Sequence, residues 1–181
     1  MTDYRRNFVP GGSFFFTVNL ADRRLRLLTE HVEELRAAFR EIHERRPFTI
    51  DAMVVLPDHL HAVWTLPEGD ADFATRWRQI KSAFSRSLPA IEQISHSRAA
   101  KGERGIWQRR YWEHTIRDEN DFMRHIDYVH INPLKHGLVT RVIDWPHSSF
   151  HRMVKLGVYP EDWAGDVEEP SGGFGERGGK E

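Results

Sequence analysis

The sequence predicts an α+β protein: a ferredoxin-like (split βαβ) antiparallel sheet with helices packed on it. Strand-like and helix-like segments follow one another in the order β-α-β-β-α-β, with a further helix after them. Hydrophobic residues make up 39% and aromatic residues 12% of the 181 residues, which is enough apolar surface for one core. We expect one domain over residues 1–160 and a disordered, acidic, Gly-rich tail over residues 161–181.

The first half of the pattern contains three strands and one helix. The aromatic and β-branched stretch "SFFFTVNL" (13–20) predicts a buried strand. Apolar residues recur at helical spacing over 28–45, and Thr29 is placed to cap that helix. "FTIDAMVVL" and "HLHAVWTL" predict a hairpin that turns at Pro57 and Asp58.

The second half adds a strand and the remaining helices. Asp118 is a candidate helix cap, and Pro133 is expected to end the helix that begins there. In chain order we predict a helix over 72–87, a mobile loop over 89–106, a strand or hairpin over 107–118, a helix over 119–132 and a short helix near 146–156. Such a fold carries helices on one face of the sheet and leaves the other face for a ligand or an extra helix.

Composition excludes some classes of protein and favours others. The chain has no cysteine, so any metal ion must be held by His, carboxylate, amide or water ligands. There is no apolar run long enough to span a membrane and no secretory signal pattern, so we expect a cytoplasmic protein. Residues 76–117 hold ten Lys and Arg against three Glu, which favours an anionic partner, although a solvated basic face would give the same count.

Two histidines stand out in "LPDHLHAVW" (56–64). Side chains alternate along a strand, so His59 and His61 project from one face while Leu60 points to the other. Same-face neighbours lie roughly 6–7 Å apart, which is close enough for two imidazoles to share one ion. Taken alone, such a pair is more often two histidines that face solvent or are satisfied in the core than a metal site.

The helix over 119–132 carries a second unusual combination. Tyr128 and Asn132 are four residues apart, so their side chains are neighbours on one flank of this helix. A tyrosine hydroxyl beside an amide oxygen suits a site, but Tyr128 alone would also suit a half-buried aromatic residue with a satisfied hydroxyl.

Taken together, these motifs resemble a known family. The H-x-H pair after a Pro-containing turn, the segment "WQRRYWEHTIRDENDF" and the later "YVHINPLKHGLV" resemble the REP-associated tyrosine transposases, over about residues 7–155. These belong to the single-tyrosine branch of the HUH nucleases and are related to bacterial insertion-sequence transposases. Each motif is short, and it is their order and spacing that make the resemblance specific.

The resemblance implies a role for four residues. His59 and His61 correspond to the HUH pair that binds a divalent cation, and Leu60 is the bulky apolar residue expected between them. Tyr128 corresponds to the nucleophile, and Asn132 to the third metal ligand, a position that is commonly Gln in the insertion-sequence relatives. The implied activity is nicking and strand transfer of single-stranded DNA at repetitive palindromic (REP) hairpins through a covalent 5′-phosphotyrosine.

The chemistry agrees with those assignments. A tyrosine hydroxyl with a pKa of about 10 is a weak nucleophile at neutral pH, and a divalent ion can polarise the scissile phosphate to compensate. The cofactor is expected to be Mg²⁺ or Mn²⁺; because imidazole suits softer ions, Mn²⁺ should work at least as well as Mg²⁺.

Further residues are candidates for contact with single-stranded or hairpin DNA. Cations can meet phosphates and aromatic rings can stack on bases, although each is individually also explained as surface charge or core. The candidates are Arg6, Arg78, Lys81, Trp107, Arg109, Arg110, Lys135 and His136. The family resemblance implies that the chain acts as a monomer and has no membrane partner.

Two other functions stay open at this level. The chain is also compatible with a domesticated protein that binds DNA hairpins without cutting them. A metal-dependent hydrolase of RNA or a small phosphate ester, in which Tyr128 is only structural, is the other alternative.

Overall fold

A computed structural model describes residues 7–90, 92 and 94–165 and contains a four-stranded antiparallel sheet. The strands are β1 (Ser13–Asn19), β2 (Thr49–Val55), β3 (His59–Thr65) and β4 (Trp112–Thr115). Their spatial order is β2-β3-β1-β4, with every neighbouring pair antiparallel. This is the strand order of the ferredoxin-like fold, so the predicted fold class is confirmed.

Six α-helices connect and cover the strands in the described part of the chain. Two of them begin at acidic caps, of which Asp118 was predicted: Asp72 accepts a hydrogen bond from the backbone N–H of Thr75 at 2.9 Å, and Asp118 accepts one from Asp121 at 2.8 Å. The helices are α1 (Leu27–Glu30), α2 (Val32–Arg45), α3 (Phe73–Ser87), α4 (His96–Ala99), α5 (Glu119–Lys135) and α6 (Phe150–Lys155). None of them combines the length and apolar character needed to cross a membrane.

One face of the sheet packs against α2 and α3. Side chains from alternate positions of β1 and β3, among them Phe16 and Trp64, enter this core together with Phe39 from α2. Trp64 stacks on Trp77 of α3 with ring centroids 4.2 Å apart and planes 15° from parallel. Offset aromatic pairs of this kind add about 1 kcal/mol beyond their buried area.

The opposite face of the sheet packs against α5. Phe15 and Val63, which alternate with the residues of the first core, meet Ile126 and Val129 of this helix. The helix therefore occupies the face that the sequence left for a ligand or an extra helix. Helices lie on both faces of the sheet, and α5 is held directly over β2 and β3.

The helix predicted over 28–45 is interrupted. His31 has φ −118° and ψ 40°, and this residue separates α1 from α2. Thr29 is not a cap, because its hydroxyl donates to the carbonyl of Arg26 at 3.2 Å instead. Leu28 is fully buried and its N–H donates to the carbonyl of Pro57, so the first turn is fixed to the hairpin rather than to the axis of α2.

The helix predicted to end at Pro133 continues to Lys135. The N–H groups of Gly137 and Leu138 bond back to the carbonyls of Leu134 and Pro133, and Gly137 has φ +65°. This pattern is a Schellman motif, which satisfies the last carbonyls of a helix. Proline removes only one donor, and the closing bonds formed beyond it hold the final turn in place.

One of the predicted irregular segments is more structured than expected. Residues 89–106 include α4, and Arg104 ties them to α3 by donating to the carbonyl of Ser85 at 2.6 Å. At the C-terminal end, Trp163 packs on Tyr159 with ring centroids 4.7 Å apart, and the disorder expected over residues 161–181 stays a prediction. Residues 166–181 of that predicted tail lie outside the described residues.

The edge of β2 that faces away from β3 is hydrogen-bonded to the segment that precedes α6. Val55 N–H donates to the carbonyl of His147 at 2.9 Å, and Ser149 N–H donates to the carbonyl of Met53 at 2.8 Å. The Ser149 hydroxyl also accepts from the N–H of Met53 at 2.9 Å. The outer hydrogen-bonding groups of β2 therefore bond to the same chain.

Arg76, a cation of the basic middle segment, is a structural residue. Its side chain is 1% exposed, and its guanidinium donates to Asp70 at 2.7 Å and to the carbonyls of Arg46, Pro47 and Asp72. We expect Arg76→Met to lower the free energy of unfolding by about 3 kcal/mol, because the acid and three carbonyls lose their donor. Urea denaturation should show this loss, whereas Arg78→Met, at an exposed position of the same helix, should change stability by less than about 0.5 kcal/mol.

Candidate active site

The two histidines of β3 lie on the face of the sheet that α5 covers. His59 and His61 are buried, and their ring centroids are 5.0 Å apart with planes at 85°. Leu60 and Ala62, between and beside them, belong to the core under α2 and α3. The arrangement is the one that strand alternation predicts.

Neighbouring side chains orient both imidazoles through their Nδ1 atoms. Nδ1 of His61 lies 2.8 Å from the hydroxyl of Thr17 on β1. Nδ1 of His59 donates to the carboxylate of Asp58 at 2.7 Å, and Arg23 donates to the other oxygen of that carboxylate at 2.6 Å. With Nδ1 engaged in this way, Nε2 is the nitrogen of each ring that would bind a metal ion, as is usual for metal-binding histidines.

Asp58 is held as a carboxylate. Burial alone would raise the pKa of its side chain, but the hydrogen bonds and charges of His59 and Arg23 outweigh burial and lower that pKa to about 2. A permanent negative charge beside Nδ1 fixes the tautomer of His59 and makes Nε2 more basic.

Tyr128 of α5 packs directly against this pair. The ring centroids of Tyr128 and His61 are 5.3 Å apart, at 72°. Phe15 of β1 contacts both rings, stacking on His61 at 5.6 Å and meeting Tyr128 edge-on at 5.9 Å. The tyrosine is 1% exposed, so its phenol is enclosed on the histidine side by aromatic surface.

Asn132 lies between two contacts that α5 makes with the histidines. Tyr128, one turn earlier, meets His61, and His136, one turn later, meets His59 with ring centroids 5.1 Å apart. Residues four apart share a helix face, so the Asn132 side chain is on the side turned toward the pair. Its Nδ2 donates to the carbonyl of Tyr128 at 3.1 Å, and its buried Oδ1 has no hydrogen-bond partner among the described residues.

The donor set fits a divalent cation. Two imidazole nitrogens and one amide oxygen are neutral ligands, so they would leave the ion its full charge and open positions for phosphate oxygens. A buried amide oxygen without a partner is costly in an apolar setting, and coordination would offset that cost. His59, His61 and Asn132 are therefore the residues that would hold the ion.

A second group of potential ligands fits a metal ion poorly. Ligand atoms of His114, Asp121 and His125 lie within 4.8 Å of one another. However, the two rings stack at 4.6 Å with planes only 14° apart. An ion lies close to the plane of each imidazole that binds it, and two stacked rings have no such point in common. The bond from His114 to Asp121, at 2.8 Å, instead fastens β4 to α5, and His125 bonds within α5 to the carbonyl of Asp121.

The predicted DNA-contact residues fall into two groups. Lys135 and His136 lie at the site: Lys135 Nζ is 3.5 Å from the Tyr128 hydroxyl, and the His136 ring faces His59. Arg78, Lys81, Trp107 and Arg109 line a separate cleft of about 770 Å³ beside α3. Arg110 is exposed next to that cleft, and the prediction for Arg6 falls outside the described residues.

Trp107, which was predicted as a residue that stacks on bases, belongs to the core. Its side chain is 6% exposed, packs against Phe84 at 5.4 Å and donates its indole N–H to the carbonyl of Lys81. Trp112, in contrast, is 38% exposed. It is paired with Thr17, so it lies in the same row across the sheet as His61.

Sequence reasoning missed the residues that support the site. Phe15 and Thr17 alternate on β1 and share the site's face, but only the pairing of β1 with β3 shows which residues they meet. Asp58 was read as a turn residue, and Arg23 had no distinguishing signal in the sequence. Their roles depend on the fold, which brings together residues that are about forty positions apart.

Comparison with known proteins places the chain in a family. The profile of IS200-like transposases matches residues 15–132. A REP-associated tyrosine transposase of Escherichia coli K12 is 51% identical over 173 residues, covering 96% of this chain and 97% of the relative. A relative from Haemophilus influenzae that carries the same family name is 48% identical over 169 residues, covering 93% of this chain and 96% of its own.

A solved structure agrees with this placement. The structure of a REP-associated tyrosine transposase bound to a REP hairpin aligns with a TM-score of 0.83, at 51% identity and over 98% of both chains. The present chain therefore belongs to the IS200-like transposases and, within them, to the REP-associated tyrosine transposases. Transposases of this class depend on a metal ion.

The middle of α5 is anchored by a buried neutral histidine. Nε2 of His130 and the Ser149 hydroxyl are hydrogen-bonded at 2.9 Å, and the Ser149 oxygen also accepts from the N–H of Met53. Burial, with the positive charge of Arg152 nearby, lowers the pKa of His130 to about 3. A protonated imidazole would carry an uncompensated charge into the core, close to Arg152.

Stability should therefore decrease as the solution is acidified. The unfolded chain binds this proton near pH 6.5 and the folded chain does not, so the contribution is complete above that pH and is lost as the pH falls toward 3. We expect a loss of about 1.4 kcal/mol per pH unit from His130 below pH 6.5. Denaturation of His130→Gln at several pH values should show a shallower dependence, whereas exposed His96→Gln should match the unsubstituted chain.

Proposed function

We propose that this protein nicks and rejoins single-stranded DNA at REP-type hairpins, through a covalent 5′-phosphotyrosine formed by Tyr128. The observation that carries the proposal is the position of α5, which packs Tyr128 against His61 and has Asn132 between that contact and the contact of His136 with His59. A hairpin as substrate is supported by the relative solved with a REP hairpin, which is 51% identical to this chain.

The chain's own residues give each reacting group a position. The Tyr128 oxygen attacks the scissile phosphorus, the bond to the 3′-oxygen breaks, and that oxygen takes up a proton to leave as a 3′-hydroxyl. Reversal by a 3′-hydroxyl rejoins a strand, so the phosphodiester energy is retained and no nucleotide cofactor is required. Contacts with Phe15 and His61 fix the tyrosine ring, which reduces the entropy lost in reaching the attack geometry.

His59, His61 and Asn132 would hold the divalent ion, and the orientation of both imidazoles is set by Asp58 and Thr17. When bound, the ion would supply positive charge that polarises the phosphate and offsets charge on its oxygens. Nitrogen ligands favour Mn²⁺ over Mg²⁺, so both metals should support the reaction, with Mn²⁺ at least equal.

The basic cleft beside α3 supports a path for the DNA toward the site. Arg78, Lys81 and Arg109 contribute positive charge to it, and Tyr111 also lines it. The next residue, Trp112, points to the opposite face of the edge strand β4, in the row of His61. A single strand of DNA with its phosphates in the cleft would pass over the edge of β4. The exposed indole of Trp112 suits an unstacked base there, and the DNA would then reach Tyr128.

Replacement of the nucleophile is the direct test. We expect the full chain to form a covalent adduct with a hairpin oligonucleotide that carries single-stranded flanks, in the presence of Mn²⁺. Tyr128→Phe should form none and still bind the DNA, because only the attacking oxygen is removed. The adduct is detected as a slower band on a denaturing gel, because non-covalent complexes dissociate under denaturing conditions.

Tyr159→Phe is the matched control, since it removes another buried hydroxyl on the same side of the sheet, one that donates to Asp127. It should retain the adduct. Adduct formation by Tyr128→Phe would exclude this tyrosine as nucleophile. Binding of the hairpin without cleavage by the unsubstituted chain, at every metal concentration, would select the non-catalytic alternative, and hydrolysis that persists in Tyr128→Phe would select the metal hydrolase.

The metal ligands can be tested separately from catalysis. His61→Gln and Asn132→Ala should each lower Mn²⁺ affinity at least about tenfold, measured by titration calorimetry on the DNA-free protein. His114→Gln serves as control, because the stacked His114–His125 group is a poor ligand set, and its Mn²⁺ affinity should be unchanged. Loss of Mn²⁺ binding in His114→Gln with retention in His61→Gln would reverse the assignment.

A further inference from the structure

Lys135 touches the oxygen that would act as nucleophile. Its Nζ lies 3.5 Å from the Tyr128 hydroxyl and 4.9 Å from the centroid of the phenol ring. The two residues are seven positions apart, which is two turns of helix, so they share one face of α5. The contact exists because the helix continues through Pro133, and it places an ammonium group between a buried phenol and the solvent.

The charge of this lysine matches a need of the reaction. As the Tyr128 oxygen bonds to phosphorus, its proton passes to solvent and negative charge develops on the oxygen. During rejoining, the 3′-hydroxyl attacks phosphorus, the bond to tyrosine breaks, and the same oxygen leaves with the electron pair before it takes up a proton. A cation within about 4 Å lowers the energy of this oxygen in both directions, and the approach to the ring face adds to the effect.

We propose that Lys135 is a catalytic residue that stabilises negative charge on the Tyr128 oxygen during both cleavage and rejoining. This rests on the proposed function of Tyr128 and assigns to Lys135 a role other than contact with DNA phosphates. A phosphate contact would act mainly on DNA affinity and its salt dependence. A contact with the nucleophile acts on the chemical step and leaves affinity nearly unchanged.

The experiment separates binding from chemistry in the full chain. Affinity for the flanked hairpin oligonucleotide is measured in EDTA, and the rate of adduct formation is measured in a single turnover with protein in saturating excess and Mn²⁺ present. Rejoining is measured by adding an oligonucleotide with a free 3′-hydroxyl to the isolated adduct. The variants are Lys135→Met, Lys135→Arg and the control Lys155→Met, an exposed lysine in the last turn of α6.

We expect Lys135→Met to slow both adduct formation and rejoining by about 10- to 100-fold, with the dissociation constant for DNA within about threefold. Lys135→Arg should recover part of both rates because it restores the charge, and Lys155→Met should match the unsubstituted protein. Thermal denaturation verifies folding. If Lys135→Met does not fold, Lys135→Gln replaces it.

Two results would overturn the proposal. The first is an unchanged single-turnover rate in a folded variant that lacks the lysine. The second is a weaker DNA affinity and a smaller salt dependence with a normal rate at saturation, which would identify a phosphate contact. A failure of the proposed function is distinguishable, because the unsubstituted protein would then form no adduct at all.

Discussion

The register between β1 and β3 determines which side chains of β1 contact His61. Thr17 lies opposite His61 and Phe15 opposite Val63. This register brings the Thr17 hydroxyl and the Phe15 ring next to His61. A slip of one residue would exchange the two faces of β1, so that neither would meet His61. In this register three consecutive phenylalanines are buried, Phe14 and Phe16 in one core and Phe15 in the other.

Much of the fold follows from local sequence patterns because those patterns have a local physical cause. Strand alternation gave the correct face for His59 and His61, and the acidic caps Asp72 and Asp118 mark the starts of two helices. The errors arise where tertiary contacts outweigh local preference. Pro133 is unfavourable within a helix, yet bonds from residues beyond it close the turn. The break at His31 depends on a backbone bond to Pro57, which no helical periodicity can reveal.

The site was predictable only in part, for a related reason. Tyr128, Asn132, His59 and His61 were predicted as site residues through the family resemblance, and the structure brings Tyr128 to His61 while keeping Asn132 on the same helix face. The residues that orient them could not be found in this way. The contact of Thr17 with His61 spans 44 positions, and it exists only once the sheet has formed. Trp107 and Trp112 look alike in sequence, but only the fold separates a core residue from an exposed one.

Helix α5 is a structural element of the core and also carries the proposed catalytic residues. Ile126 and Val129 bury its apolar side against the sheet, while Tyr128 and Asn132 project from an adjacent side. It is fastened near its start by the bond between Asp121 and His114, and at its middle by His130. Catalytic groups on a helix fixed at several points are held more accurately than groups on a loop, so little reorganisation is left for the reaction step.

The cover over the β2 edge has a consequence for association between molecules. An open edge strand offers unpaired amide and carbonyl groups on which a second chain can extend the sheet. Here the backbone of residues 147–149 already bonds to Met53 and Val55, and Arg152 donates to the carbonyls of Ile50 and Asp51. A second copy therefore cannot extend the sheet at the β2 edge, because a segment of the same chain is already bonded there. This segment protects that edge from edge-to-edge aggregation.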